Sequence, residues 1–78
     1  MHNIKNEELV KAIGQRIRKL RIEKGFTQFA LANEADIILS QVSRIERGQL
    51  NPSVSTLFVI AQALSVDLKT FFDFELKN

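Results

Sequence analysis

Cationic side chains are the residues of this chain with the most chemistry to offer, and they are unevenly spaced. Lys11, Arg16, Arg18, Lys19, Arg21 and Lys24 stand close together against one acid, Glu23, and a second pair, Arg44 and Arg47, flanks Glu46. Guanidinium and ammonium groups bind phosphate, and a guanidinium fork can also read a base edge. A charge run is as readily a solvated helix face, so charge alone leaves both readings open. Nucleic acid is the natural partner if the two clusters fall on one side. The rest of the inventory argues against catalysis. There is no cysteine, the single histidine is His2, and no glycine-rich phosphate loop occurs. No nucleophile–base pair, thiolate metal site or disulfide can be assembled from these residues. Glu7 and Glu8 suit a helix N-terminus better than acid–base work. No enzyme activity, cofactor or metal is expected.

The elements that must position these charges fit in one domain. The chain has 78 residues, 45% of them hydrophobic and 26% charged. A domain this small buries roughly 60% of the surface its unfolded chain exposes, enough to fold with little margin. No apolar run reaches the ~18 residues of a membrane span, and the N-terminal residues lack an apolar signal stretch. With no cysteine, a reducing cytoplasm is the expected location, and residues 1–6 are expected to fray. The formal net charge is only +2, although the sequence pI is 9.3. The distribution of charge therefore says more than the sum.

The pattern predicts an all-α, five-helix bundle. Leu9, Val10, Ile13, Ile17 and Leu20 recur at helical spacing in a first helix from about Glu7 to Lys24, with Gly25 beyond its end. Thr27 is a good N-cap for a second helix over Gln28 to Ala35, which turns Leu31, Ala32 and Ala35 inward. A break near Asp36 precedes a third helix from Ile38 to Arg47, with Val42 and Ile45 inward and Gly48 ending it. Ser53, after Asn51-Pro52, caps a fourth helix to Leu64, with Val54, Leu57, Phe58, Ala61 and Leu64 on one stripe. Asp67 is placed to cap a short fifth helix over Leu68 to Phe74. The second and third helices have the length and separation of a helix-turn-helix, in which one helix braces another for a DNA major groove.

Particular residues sharpen that reading. Leu20-Arg21-Ile22-Glu23-Lys24-Gly25-Phe26-Thr27-Gln28, Leu31-Ala32, Val42-Ser43-Arg44-Ile45-Glu46-Arg47-Gly48, Asn51-Pro52-Ser53, Thr56-Leu57 and Ala61-Gln62-Ala63-Leu64 fall in one register. Together they resemble the Cro and lambda-repressor-like, or Xre, helix-turn-helix family across about residues 13 to 72. The Phe71-Phe72-Asp73-Phe74 ending and the chain's size also resemble the small controller proteins of restriction–modification systems. The resemblance implies a transcriptional regulator, repressor or controller, that reads double-stranded DNA in a sequence-specific way. It places Leu39, Ser40, Gln41, Ser43 and Arg44 at base edges, and Arg16, Thr27, Gln28, Arg47 and Asn51 at phosphates. It also implies that Arg21 and Glu46 form an inward salt bridge between the first and third helices.

The chain departs from the family pattern in its turn. Asp36 stands where a glycine is usual, and a left-handed conformation costs Asp less than most residues. Ile38 replaces the Ser or Thr cap of the recognition helix and cannot cap. Leu39 replaces a polar reader. Partial burial of Ile38 and Leu39 against the second helix and Phe29 is one reading of these residues. Contact of Leu39 with thymine methyl groups is the other. At the far end, Val59, Phe72, Phe74 and Leu76 offer more apolar surface than a monomer this small should leave wet. A two-fold dimer on a palindromic operator is the expectation, with no small-molecule ligand and no membrane. The alternative from another class is an antitoxin-type protein-interaction module with secondary DNA binding.

Overall fold

Local capping chemistry sets the helix boundaries. In the computed structural model, which describes residues 6–76, α1 spans Glu7–Glu23, α2 Gln28–Ala35, α3 Leu39–Glu46 and α4 Val54–Leu64. Three of these helices start on a side-chain cap, which satisfies an amide that a helix N-terminus leaves unpaired. Asn6 Oδ1 accepts from the Leu9 N–H at 2.9 Å, Thr27 Oγ1 from Ala30 at 3.0 Å, and Ser53 Oγ from Thr56 at 3.0 Å. Asn6, expected to fray, instead caps α1. Residues 1–5, His2 among them, lie outside the described residues. α3 is the exception: Ile38 holds the cap position with extended backbone (φ −78°, ψ 149°) and makes no side-chain cap bond. That helix is correspondingly shorter than expected, running from Leu39 to Glu46.

All four helices end alike. The N–H groups of Phe26, Ile37, Gln49 and Val66 donate to the carbonyls of Arg21, Ala32, Arg44 and Ala61. In each case the preceding residue is left-handed: Gly25 (φ 79°), Asp36 (57°), Gly48 (73°) and Ser65 (57°). This Schellman closure pairs carbonyls that the helix leaves orphaned. Phe26, Ile37 and Val66 then pack half-buried against the core, the apolar contact that usually accompanies the motif.

The expected fifth α-helix is replaced by a 3-10 helix, Leu68–Phe72. Its bonds reach back three residues, as from Thr70 N–H to Asp67 O at 2.9 Å, and Asp67 makes no side-chain cap bond. Five residues are too few to offset the cost of α-helix nucleation, so tertiary contacts fix the segment. Phe71 is fully buried, and Arg16 Nε donates to the Thr70 carbonyl at 3.1 Å. The bundle thus consists of four α-helices closed by a 3-10 turn, with no strand among the described residues.

Ile17, Leu31, Val42, Ile45, Ile60, Leu64 and Phe71 form the centre of the core. α4 is rotated relative to the expected stripe. Leu57, Ile60, Ala61 and Leu64 are buried, while Val54 is 72% and Phe58 50% exposed. A helix with apolar residues on nearly every side gives periodicity too little contrast to fix its phase. α1 crosses α3 closely because Gly14 is buried there, and a Cβ at that position would run into the carbonyl oxygens of Ile45 and Glu46.

The same crossing holds a buried ion pair. Arg21 Nε donates to Glu46 Oε2 at 2.6 Å, Nη2 donates to Oε1 at 2.9 Å, and Nη1 donates to the Phe26 carbonyl at 2.8 Å. Gln28 Nε2 adds a bond to Glu46 Oε1 at 3.1 Å. Among the described residues no buried side-chain nitrogen or oxygen lacks a partner. Removing one partner strands a charge in a low-dielectric site, which costs about 3–5 kcal/mol. A domain of this size has only about 4–12 kcal/mol of stability. Glu46→Ala is therefore expected to lower the urea midpoint drastically or to unfold the domain. Arg21→Met combined with Glu46→Leu should recover most of that loss, since well-packed apolar replacements of a buried pair are often neutral. Ile38→Ser acts in the opposite direction: by capping α3 it should raise the unfolding free energy by about 0.5–2 kcal/mol in the same titration.

Candidate nucleic-acid interface

α3 is amphipathic, and its outer face is the chain's strongest candidate for recognition. At about 100° per residue, buried Val42, Ile45 and Glu46 define the inner side. Ser40, Arg44 and Arg47 are exposed on the opposite side, with half-buried Ser43 at the edge toward Leu39. Leu39 and half-buried Gln41 flank this strip on its two edges. Leu39 is 45% exposed and Ile38 68%, so Leu39 is partly covered and Ile38 is largely wet. Phe29, their expected cover, is itself 68% exposed. Ile37 is the member of the apolar tripeptide that packs on the core. The five residues predicted to face base edges therefore occupy one end and one side of a short helix.

The residues predicted at phosphates divide into two groups. Thr27 and Gln28 sit at the N-terminus of α2, where unpaired amides and the helix dipole favour an anion. Thr27 is engaged as the cap, and Gln28 donates one amide N–H to Glu46, which leaves its second N–H for another acceptor. Arg47, exposed at the end of α3, donates through Nε to the Ser43 carbonyl at 3.3 Å. Asn51 is exposed in the loop before α4. Arg16 is placed otherwise. Its guanidinium is engaged inside the chain, by the Thr70 carbonyl and by Asp73 Oδ2 at 3.7 Å, and the side chain is only 22% exposed.

One cation of the first cluster, Lys11, joins this surface although it was not among the residues expected at phosphates. Gly48 lies so near α1 that a Cβ would fall 2.6 Å from Lys11 Cγ, which brings exposed Lys11 beside the Arg47 end of α3. One member of the α1 cluster, Lys11, thus meets the Arg47 end of α3 at this corner. Sequence spacing could not reveal it, because it depends on the crossing that Gly14 permits. Arg21, from the same cluster, is internal through its pairing with Glu46. The predicted second surface is also altered. Val59 and Phe74 pack half-buried against the core, Leu76 is half-buried, and Phe72 remains 45% exposed. Phe58 takes the outward place expected of Val59.

Among the described residues no cluster of three carboxylate or histidine side chains could hold a metal ion. No helix of the described residues is long and apolar enough to cross a membrane.

Comparison with known proteins gives the chain's family and supports its fold. The immunity repressor protein of Bacillus phage phi105 is 43% identical over 56 residues, covering 72% of this chain and 39% of that protein. The transcriptional regulator SinR of Bacillus subtilis is 42% identical over 62 residues, covering 78% of this chain and 56% of SinR. The chain thus spans less than two thirds of the length of either relative. Among solved structures, the restriction-modification controller protein C.AhdI of Aeromonas hydrophila superposes with a TM-score of 0.80 at 39% identity. The superposition covers 86% of this chain and all of that one. The helix-turn-helix family HTH_3 matches residues 17–71, a span that contains all four helix ends and the whole of α2 and α3, and the chain belongs to that family.

Proposed function

We propose that this protein is a sequence-specific regulator of transcription, a repressor or controller, that inserts α3 into the major groove of double-stranded DNA. The observation that carries the reading is the outer strip of α3, where Ser40, Ser43 and Arg44 are presented opposite a fully packed inner face. The similarity to a phage repressor and to a restriction-modification controller supports it. Arg44 is the principal reader: its fork can donate to guanine O6 and N7 together, a contact worth about 1–3 kcal/mol of discrimination. Ser40, Ser43 and Gln41 add shorter polar contacts. Gln28, Thr27, Arg47, Asn51 and Lys11 lie against the backbone, where they set register without reading sequence. Arg16 is left out of this set because its guanidinium is engaged with the 3-10 turn.

The protein acts as a two-fold dimer through the α4 and 3-10 surface. α4 and the 3-10 turn pack against each other, and they expose Val54, Phe58 and Phe72. Apolar side chains left exposed on two adjoining elements suit an isologous contact. Two recognition helices about 34 Å apart would then meet successive major-groove faces of a palindromic site.

Selection from random duplexes, followed by fluorescence anisotropy on the enriched duplex and a scrambled control at two salt concentrations, tests the first part. A preference for the enriched duplex that persists at the higher salt is expected. Arg44→Ala should remove about 1–3 kcal/mol of that preference while leaving most of the residual binding. Arg47→Ala should weaken both duplexes alike and reduce the salt slope by about one. Equal binding to both duplexes at every salt concentration would overturn the reading. For the dimer, sedimentation equilibrium at tens of micromolar should give twice the chain mass, and Phe58→Lys with Phe72→Lys should give the chain mass. A monomeric wild type, with and without the enriched duplex, rejects the dimer.

A further inference from the structure

We infer that Leu39, with Ile38 beside it, reads the C5-methyl groups of pyrimidines at the edge of the site contacted by Arg44, so that part of the sequence preference is apolar. The inference rests on the proposed docking of α3 and adds what that docking recognises.

Two independent features of the chain lead to it. The first is exposure. Ile38 and Leu39 are large, apolar and solvent-facing, at 68% and 45%, at the start of the helix whose outer strip carries Ser40 and Arg44. At about 100° per residue Leu39 falls roughly 40° from Ser43 around the helix, on the border between the polar strip and the buried face of Val42 and Glu46. The second is a local conflict. A cap position that three other helices fill with Asn, Thr and Ser is here isoleucine, and no side-chain bond replaces the missing one. An apolar residue at a cap gives up helix stability. Its neighbour Leu39 adds wet apolar area without filling the core. Places where local sequence logic fails in this way are expected at functional sites.

Major-groove chemistry supplies a match. Thymine presents a C5-methyl group there beside its O4 acceptor, and cytosine presents a hydrogen at the same place. A leucine or isoleucine side chain can bury against that methyl and can form no hydrogen bond with the edge of any base. It therefore separates thymine from cytosine by one methyl group and accepts 5-methylcytosine in place of thymine. The shared chemistry is the C5-methyl; thymine and methylated cytosine are its two sources.

The test uses the enriched duplex with each thymine replaced singly by deoxyuridine, which removes the methyl and leaves the base pair. Wild-type protein is expected to lose about fourfold in affinity at one or two adjacent positions, the effect of one methyl leaving an apolar contact. At those positions unmethylated cytosine should bind at least as weakly as deoxyuridine, and 5-methylcytosine should recover the methyl's share. Leu39→Ala should bind thymine and deoxyuridine duplexes equally, and Leu39→Met should restore a difference. Ile38→Ser, which is expected to fold more stably than wild type, should narrow the thymine–deoxyuridine ratio, so that loss of folding cannot produce the result. Wild-type affinity that is indifferent to every deoxyuridine, on a duplex still preferred over the scrambled control, overturns the inference and leaves the docking of α3 standing. The inference also fails if Leu39→Ala weakens preferred and scrambled duplexes equally while the thymine–deoxyuridine ratio is retained. No preference for any duplex removes the docking and the inference together.

Discussion

The buried contact between Arg21 and Glu46 is the constraint on which the rest of this structure depends. Glu46 is the last residue of α3 and Arg21 lies in the last turn of α1. Both are almost fully shielded, at 8% and 5% exposure. Two charges can be held this deep only if each is matched in geometry as well as sign. The guanidinium meets the carboxylate with two bonds and directs a third donor to Phe26, the residue that closes α1, while Gln28 at the start of α2 completes the carboxylate. One pair thereby sets the angle of α3, the closure of α1 and the entry into α2. Gly14 makes this possible, since any side chain there would push α1 off the carbonyls of Ile45 and Glu46. The orientation of the outer strip of α3 follows from an interaction on its opposite face.

Much of this was legible in the sequence because it is local. Thr27 and Ser53 announce caps, Gly25 and Gly48 announce helix ends, and Asp36 tolerates the left-handed turn that a glycine would otherwise hold. Each of these decisions is made within five or six residues. What escaped is non-local or ambiguous in period. α4 is apolar on most of its circumference, so Ile60 rather than Phe58 facing the core depends on what α2 and the 3-10 turn present to it. Arg16 could not be separated from its basic neighbours until Thr70 and Asp73 came within reach of it. Lys11 gained importance only through its nearness to Gly48. The 3-10 turn carries helix-like composition but is too short to form an α-helix on its own. Tertiary contact decides its form.

The candidate interface was legible in a different sense. Residue types at the outer positions of α3 could be named from the family resemblance, and the structure supplies a physical reason for grouping them, the fully packed inner face of Val42, Ile45 and Glu46. The same resemblance made the departures visible. Ile38 and Leu39 stand out only against an expectation of a polar cap and a polar reader. At 68% exposure Ile38 is largely wet, and Leu39, at 45%, is only partly covered, so neither fills the core.

Charge arithmetic gives those departures a consequence. The chain carries a net charge of only +2, and two of its arginines, Arg16 and Arg21, are engaged with Asp73 and Glu46. On the proposed docking only Lys11 and Arg47 among the cations lie against phosphates, so counterion release, which scales with the phosphates neutralised and fades as salt rises, contributes little. An apolar contact with a base edge has no such dependence, because it gains from water released rather than from charge neutralised. On the proposed docking, an α3 that combines one guanidinium fork with an apolar end places a larger share of its binding in terms that distinguish one sequence from another. The lower stability that an uncapped α3 brings then accompanies a reading surface suited to a weakly charged protein.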